Sequence, residues 1–113
     1  MVSLKDMREL HEEFKKNTEQ YYKELDKNKS LFDMSIGSQN YKRVIELANE
    51  SYNLVFNNYQ FSIDLRRKIC EMAEQVTEPI LIESFKSLGQ SIDGYIQGCA
   101  ERLNRLGDEL RPL

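Results

Sequence analysis

The segment from Ser38 to Thr77 reads as one long helix with two separate apolar stripes. At about 100° per residue, Tyr41, Ile45, Ala48, Tyr52, Phe56, Tyr59, Ile63 and Cys70 gather on one side. Leu47, Leu54, Phe61, Leu65 and Met72 line up on another, well over 100° away. Val44, Val55, Ile69, Ala73 and Val76 fall between them, so the apolar arc covers more than half of the cylinder. A helix at the rim of a small globule needs a single stripe of about 100° or a little more. This one must therefore be covered on more than one side: by its own chain, by a second copy, or by a hydrophobic surface.

The flanking segments read as two further helices. Before it, Leu4, Met7, Phe14, Tyr21, Leu25 and Phe32 keep a seven-residue rhythm, with polar His11, Thr18 and Asn28 in the same seam. Ser3 and Asp6 are spaced like a capping box, in which hydroxyl and carboxylate satisfy the free N–H groups of a helix start. Gly37 is the residue expected in the left-handed conformation that stops helix 1. Ser38 or Asn40 then caps helix 2, and Leu31, Met34 and Ile36 fold under the turn. Glu78-Pro79 ends helix 2, because proline disfavours helical geometry in the residue before it, and Pro79 suits the first position of helix 3. One helix kinked through Pro79 is the alternative. Helix 3 carries a narrow seam of Leu81, Phe85, Leu88, Ile92, Tyr95/Ile96, Cys99, Leu103, Leu106 and Leu110. Gly89, Gly94, Gly98 and Gly107 lie behind it, on what reads as a loosened exposed face.

The expectation is an all-α fold, an elongated antiparallel three-helix bundle or coiled coil, forming a single domain over 1–113. Its helices span about 3–34, 38–77 and 79–110. Composition agrees: of 113 residues 40% are hydrophobic and 31% charged, with only two prolines and five glycines, which is the profile of a helical bundle.

Composition also narrows function. The net charge is −3 and the signs are mixed along every helix. The short basic runs Lys15-Lys16 and Arg66-Arg67-Lys68 are flanked by acids, unlike the basic stripe of a nucleic-acid binder, so no nucleic-acid partner is expected. No stretch approaches the ~18 consecutive apolar residues of a membrane span, and Met1 to Asp6 lacks the apolar core of a signal peptide. A soluble, cytoplasmic protein is the expectation. Cys70 and Cys99 sit at unequal distances from the Pro79 turn, about 16 Å out of register at 1.5 Å per residue, beyond the reach of a disulfide. Both are read as reduced core residues.

No constellation points to catalysis. His11 is the one histidine, and its seam position reads as packing. Neither a His-Glu-x-x-His nor a Glu-x-x-His metal pattern is present, and Ser35-Ile36-Gly37-Ser38 lacks the lysine of a phosphate loop. The protein is expected to be no enzyme and to need no cofactor or metal. The apolar stripes are the remaining signal. Because helices 1 and 3 offer only narrow seams, the row Leu47, Leu54, Phe61, Leu65 and Met72 is the expected interaction surface.

The run Asn53-Leu54-Val55-Phe56-Asn57-Asn58-Tyr59-Gln60, followed by Asp64-Leu65, Glu71-Met72 and Thr77-Glu78-Pro79, resembles the phasins over about a quarter of the chain. Phasins are small helical, tryptophan-poor amphipathic proteins that coat bacterial polyhydroxyalkanoate granules. They have no catalytic or ligand motif to map onto this sequence. The resemblance implies peripheral contact with a hydrophobic granule or lipid surface. From the residues themselves, the leading expectation is a structural or adaptor subunit that self-associates as a homo-oligomer or docks helically to a protein partner. A small secretion-type chaperone is a further alternative.

Overall fold

A computed structural model describes residues 2–110 and shows three helices packed side by side as an antiparallel bundle: α1 (Leu4–Gly37), α2 (Tyr41–Ala73) and α3 (Pro79–Leu110). They form a rod of 59 × 22 × 16 Å. Helices of 34, 33 and 32 residues are each about 50 Å long, and short turns force neighbours in sequence to pack antiparallel. Among the described residues no helix is long and apolar enough to cross a membrane.

Local chemistry sets the ends. The Ser3 N–H donates to the Asp6 carboxylate at 2.7 Å, opening α1 where the sequence places it. The first turn departs from expectation. Gly37 remains helical, and Gln39 takes the left-handed conformation instead, with φ 59°. The Asn40 N–H reaches the Ser35 carbonyl at 2.9 Å and the Gln39 N–H reaches Ile36 at 3.0 Å, the paired bonds of a Schellman stop. Asn40 then caps α2 by accepting from the Arg43 N–H. Extending α1 to Gly37 turns Met34 and Ile36 outward, 70% and 48% exposed, rather than under the turn; Leu31 alone of the three is half-buried. At the other end α2 stops at Ala73, earlier than expected, and Pro79 is the first residue of a separate α3.

α2 is the middle element. Both other helices pack along its length, whereas α1 and α3 meet through side chains such as Phe14 with Tyr95 and Tyr21 with Arg102. In one cluster Leu10 of α1 joins Leu65 and Ile69 of α2 with Phe85, Leu88 and Ile92 of α3. A second gathers Tyr21, Val55 and Cys99. Leu10, outside the seven-residue rhythm, is buried, while His11 within it is exposed. The seam of α3 lies inward as read, from Leu81 to Cys99; the side chain of Leu110 lies outside the described residues.

Candidate functional site

The two stripes of α2 have opposite fates. Leu47 and Leu65, expected on the interaction surface, are 0% and 2% exposed within this single chain. Phe61 and Met72 are half-buried against the first cluster and Leu54 against the second. That row is therefore core, not a docking face. Its cover comes from both other helices: Leu10, Phe85, Leu88 and Ile92 pack around Leu65, and Asn17 and Asn28 of α1 hydrogen-bond to Asn58 and Ser51 on the same side of α2.

The uncovered apolar surface belongs to the other stripe. Tyr41, Ile45 and Phe56 are 65%, 40% and 42% exposed, Tyr52, Tyr59 and Ile63 are half-buried, and Cys70 is exposed rather than in the core. α3 lies beside this stripe without covering it. The seam between them is marked by Arg66, which donates to Asp93 of α3 at 2.8 and 3.3 Å. Gly89 is buried beneath that guanidinium, and a Cβ there would lie 2.9 Å from it. Gly89 thus permits a close approach, whereas Gly94 and Gly98 face open space. From Tyr41 to Ile63 the stripe runs about 33 Å at 1.5 Å per residue. Large contiguous apolar patches of this kind mark contact surfaces.

Behind the stripe, a buried polar layer fixes the three helices against one another. Asn58, 5% exposed, accepts from Asn17 of α1 and donates to the Tyr95 hydroxyl and, at 3.4 Å, to the Cys99 thiol of α3. Asn28 accepts from Ser51, and Tyr21 accepts from Arg102 at 2.9 Å. No buried side-chain polar atom among the described residues lacks a partner. Burial pushes the Tyr95 phenol and the Cys99 thiol above their ordinary values, outweighing the lowering effect of the Asn58 hydrogen bond. Tyr21 is likewise raised by burial, against the pull of Arg102. A protonated, hydrogen-bonded thiol is a poor nucleophile. The layer acts by holding register, since each partner must align for every polar group to be satisfied.

Sequence reasoning passed over Asn58, although it sits seven residues before Leu65 and seven after Ser51 in the same row. A polar residue in the middle of an apolar arc was the available signal. His11, expected in the helix 1 seam, lies at the surface beside Met7 in a shallow hollow shared with Glu83, Ser84 and Ser87. The Ser84 hydroxyl there donates to the Ile80 carbonyl. Among the described residues no three His, Cys, Asp or Glu side chains converge as metal ligands would. A cleft of about 700 Å³ lies between the three helices, lined by Leu25, Phe32, Val44 and Leu106 together with Lys29 and Arg105.

No protein-family model, curated protein or solved structure matches the chain.

Proposed function

We propose that the protein is a non-enzymatic structural or adaptor subunit that works through helix–helix contact, by self-association or by docking to a protein partner. One observation carries this reading: the stripe from Tyr41 to Ile63 stays open although every other long apolar row of α2 is covered by its own chain. An exposed aromatic and aliphatic row on a rigid helix is what a second helix packs against, with tyrosine providing an apolar body and a polar tip.

Light scattering over a concentration series, with and without a mild detergent, tests the reading. The wild type should exceed the monomer mass, or capture a protein partner stoichiometrically. Ile45→Glu combined with Phe56→Glu should abolish the association while leaving helix content unchanged, because both side chains are about two-fifths exposed in the chain. A phasin-like coat protein would behave differently: it would partition onto hydrophobic droplets and gain helicity there. That outcome overturns the adaptor reading.

A further inference from the structure

The spacing of the open stripe and the charges beside it specify its occupant. Ile45, Asn49, Tyr52, Phe56, Tyr59, Ile63, Arg66 and Cys70 follow alternating steps of four and three residues, with Asn49 and Arg66 as the polar members. That is the rhythm of a two-helix seam. We propose that the stripe pairs with the same stripe of a second copy of this chain, α2 against α2, antiparallel, about a two-fold axis between Asn57 and Asn58. The inference rests on the contact reading above and adds the partner, the orientation and the register.

In this register every seam position meets a suitable partner. Phe56 lies opposite Tyr59, Tyr52 opposite Ile63, and Ile45 opposite Cys70, each pair occurring twice by symmetry. Asn49 of one copy falls opposite Arg66 of the other, where its amide oxygen can accept from the guanidinium. The flank supplies the charge complementarity. Its exposed charged positions read Lys42, Glu46 and Glu50 towards one end of α2, then Asp64, Arg67, Glu71 and Glu74 towards the other. Reversing one copy sets Glu46 beside Arg67 and places Lys42 between Glu71 and Glu74; Glu50 and Asp64 also come near each other, each already paired within its own chain, with Arg43 at 3.6 Å and Arg67 at 3.7 Å.

These groups are free to respond. Among the described residues Lys42, Glu71 and Glu74 form no ion pair within their own chain. Glu46 keeps 48% of its side chain exposed beside Arg43, which also serves Glu50, and Arg67 is 66% exposed beside Asp64. A parallel pairing in register would bring together two Arg66 side chains already paired with Asp93, and would lose the contacts of Glu46 with Arg67 and of Lys42 with Glu71 and Glu74. Asn49 tolerates either direction, so the charges alone select the antiparallel arrangement. A closed two-fold contact of this kind also covers the row from Ile45 to Ile63 on both copies, and an isologous contact closes on itself instead of propagating.

The test uses the native thiol. In the proposed dimer Ile45→Cys places a thiol opposite Cys70 of the other copy, while two Cys70 residues stand about 38 Å apart along the seam at 1.5 Å per residue. Mild oxidation of full-length Ile45→Cys should give a covalent dimer whose bond maps between positions 45 and 70. Wild type and Ile45→Cys with Cys70→Ser should give none. In parallel, Glu46→Arg should weaken dimerisation about tenfold, and adding Arg67→Glu should restore it, since two symmetric pairs change sign together. Both positions are exposed, so the fold is retained. A wild type that stays monomeric overturns this inference and self-association with it, leaving only docking to a different protein. A dimer that fails to cross-link from 45 to 70, or that the charge swap does not rescue, overturns the register alone and leaves self-association standing.

Discussion

The side-chain amide of Asn58 donates to the hydroxyl of Tyr95, tying α2 to α3 at the level where Asn17 ties α1 to α2. One buried residue therefore connects all three helices. Each bond sets both the axial position and the rotation of a helix whose apolar contacts alone would tolerate sliding.

Removing that connection leaves several buried partners unpaired. Asn58→Ala should cost about 2–4 kcal/mol, because stranded buried polar groups cost about 1–3 kcal/mol each. Tyr95→Phe should cost about 1 kcal/mol, since the ring and its edge-on contact with Phe14 at 5.3 Å between centroids persist. Urea titration of both variants checks the order. Equal losses would show that the amide has no role beyond the Tyr95 bond.

The first turn contains a built-in penalty. Gln39 holds φ 59°, a left-handed conformation that costs an L-residue roughly 1–2 kcal/mol and glycine almost nothing. Gln39→Gly should raise stability by about 0.5–1 kcal/mol once the added freedom of the unfolded chain is subtracted. Gly37→Ala, in a helical site with nothing within 4 Å of the new methyl group, should also stabilise, by a few tenths to about 1 kcal/mol. Thermal melts of the two variants locate the left-handed residue. A harmful Gly37→Ala together with a neutral Gln39→Gly would place it at 37 instead of 39.

The two stripes should separate in mutagenesis. Leu47→Ala and Leu65→Ala should each cost about 2–5 kcal/mol, the range for emptying a core site. Phe56→Ala, measured on dilute protein, should cost far less, because the ring is 42% exposed in the chain. Replacing Leu54, Phe61 and Leu65 together by Glu should unfold the chain instead of dissociating an intact fold. Retained circular dichroism in that triple variant would contradict the core assignment.

Stability should also fall in alkali. Burial holds Tyr95, Tyr21 and Cys99 above their ordinary values, so the folded chain keeps protons that the unfolded chain releases from about pH 8.5 for thiols and about pH 10 for phenols. Below those values the two states bind protons equally at these groups. Above them the unfolded state binds fewer, and stability falls as pH rises. Melts from about pH 7 to about pH 11 should show a plateau followed by this decline, smaller in Tyr95→Phe than in the wild type at the highest pH. An identical decline in both would remove Tyr95 from the account.

Helix content, the turn at Pro79 and the inward seam of α3 are all legible in the sequence, and the cap of α2 is narrowed to Ser38 or Asn40, because each depends on residues within one or two helical turns. The two stripes of α2 are legible in the same way: periodicity fixes which residues share a side of their own axis. It does not fix which side meets a neighbour. Leu47 and Phe56 are equally apolar to such reasoning, yet one is fully buried and the other open. That choice depends on where α1 and α3 lie around α2, which is set by contacts distant in sequence: Leu10 with Leu65 and Phe85, Tyr21 with Val55 and Cys99, and the ties of Asn17 to Asn58 and Arg66 to Asp93. His11 and Leu10 exchange their expected places for the same reason, since rotating α1 by one residue's angle moves a whole seam. Short-range chemistry determined the helices of this chain, and the long-range contacts between them, the two apolar clusters with their polar ties, decided which face remained free.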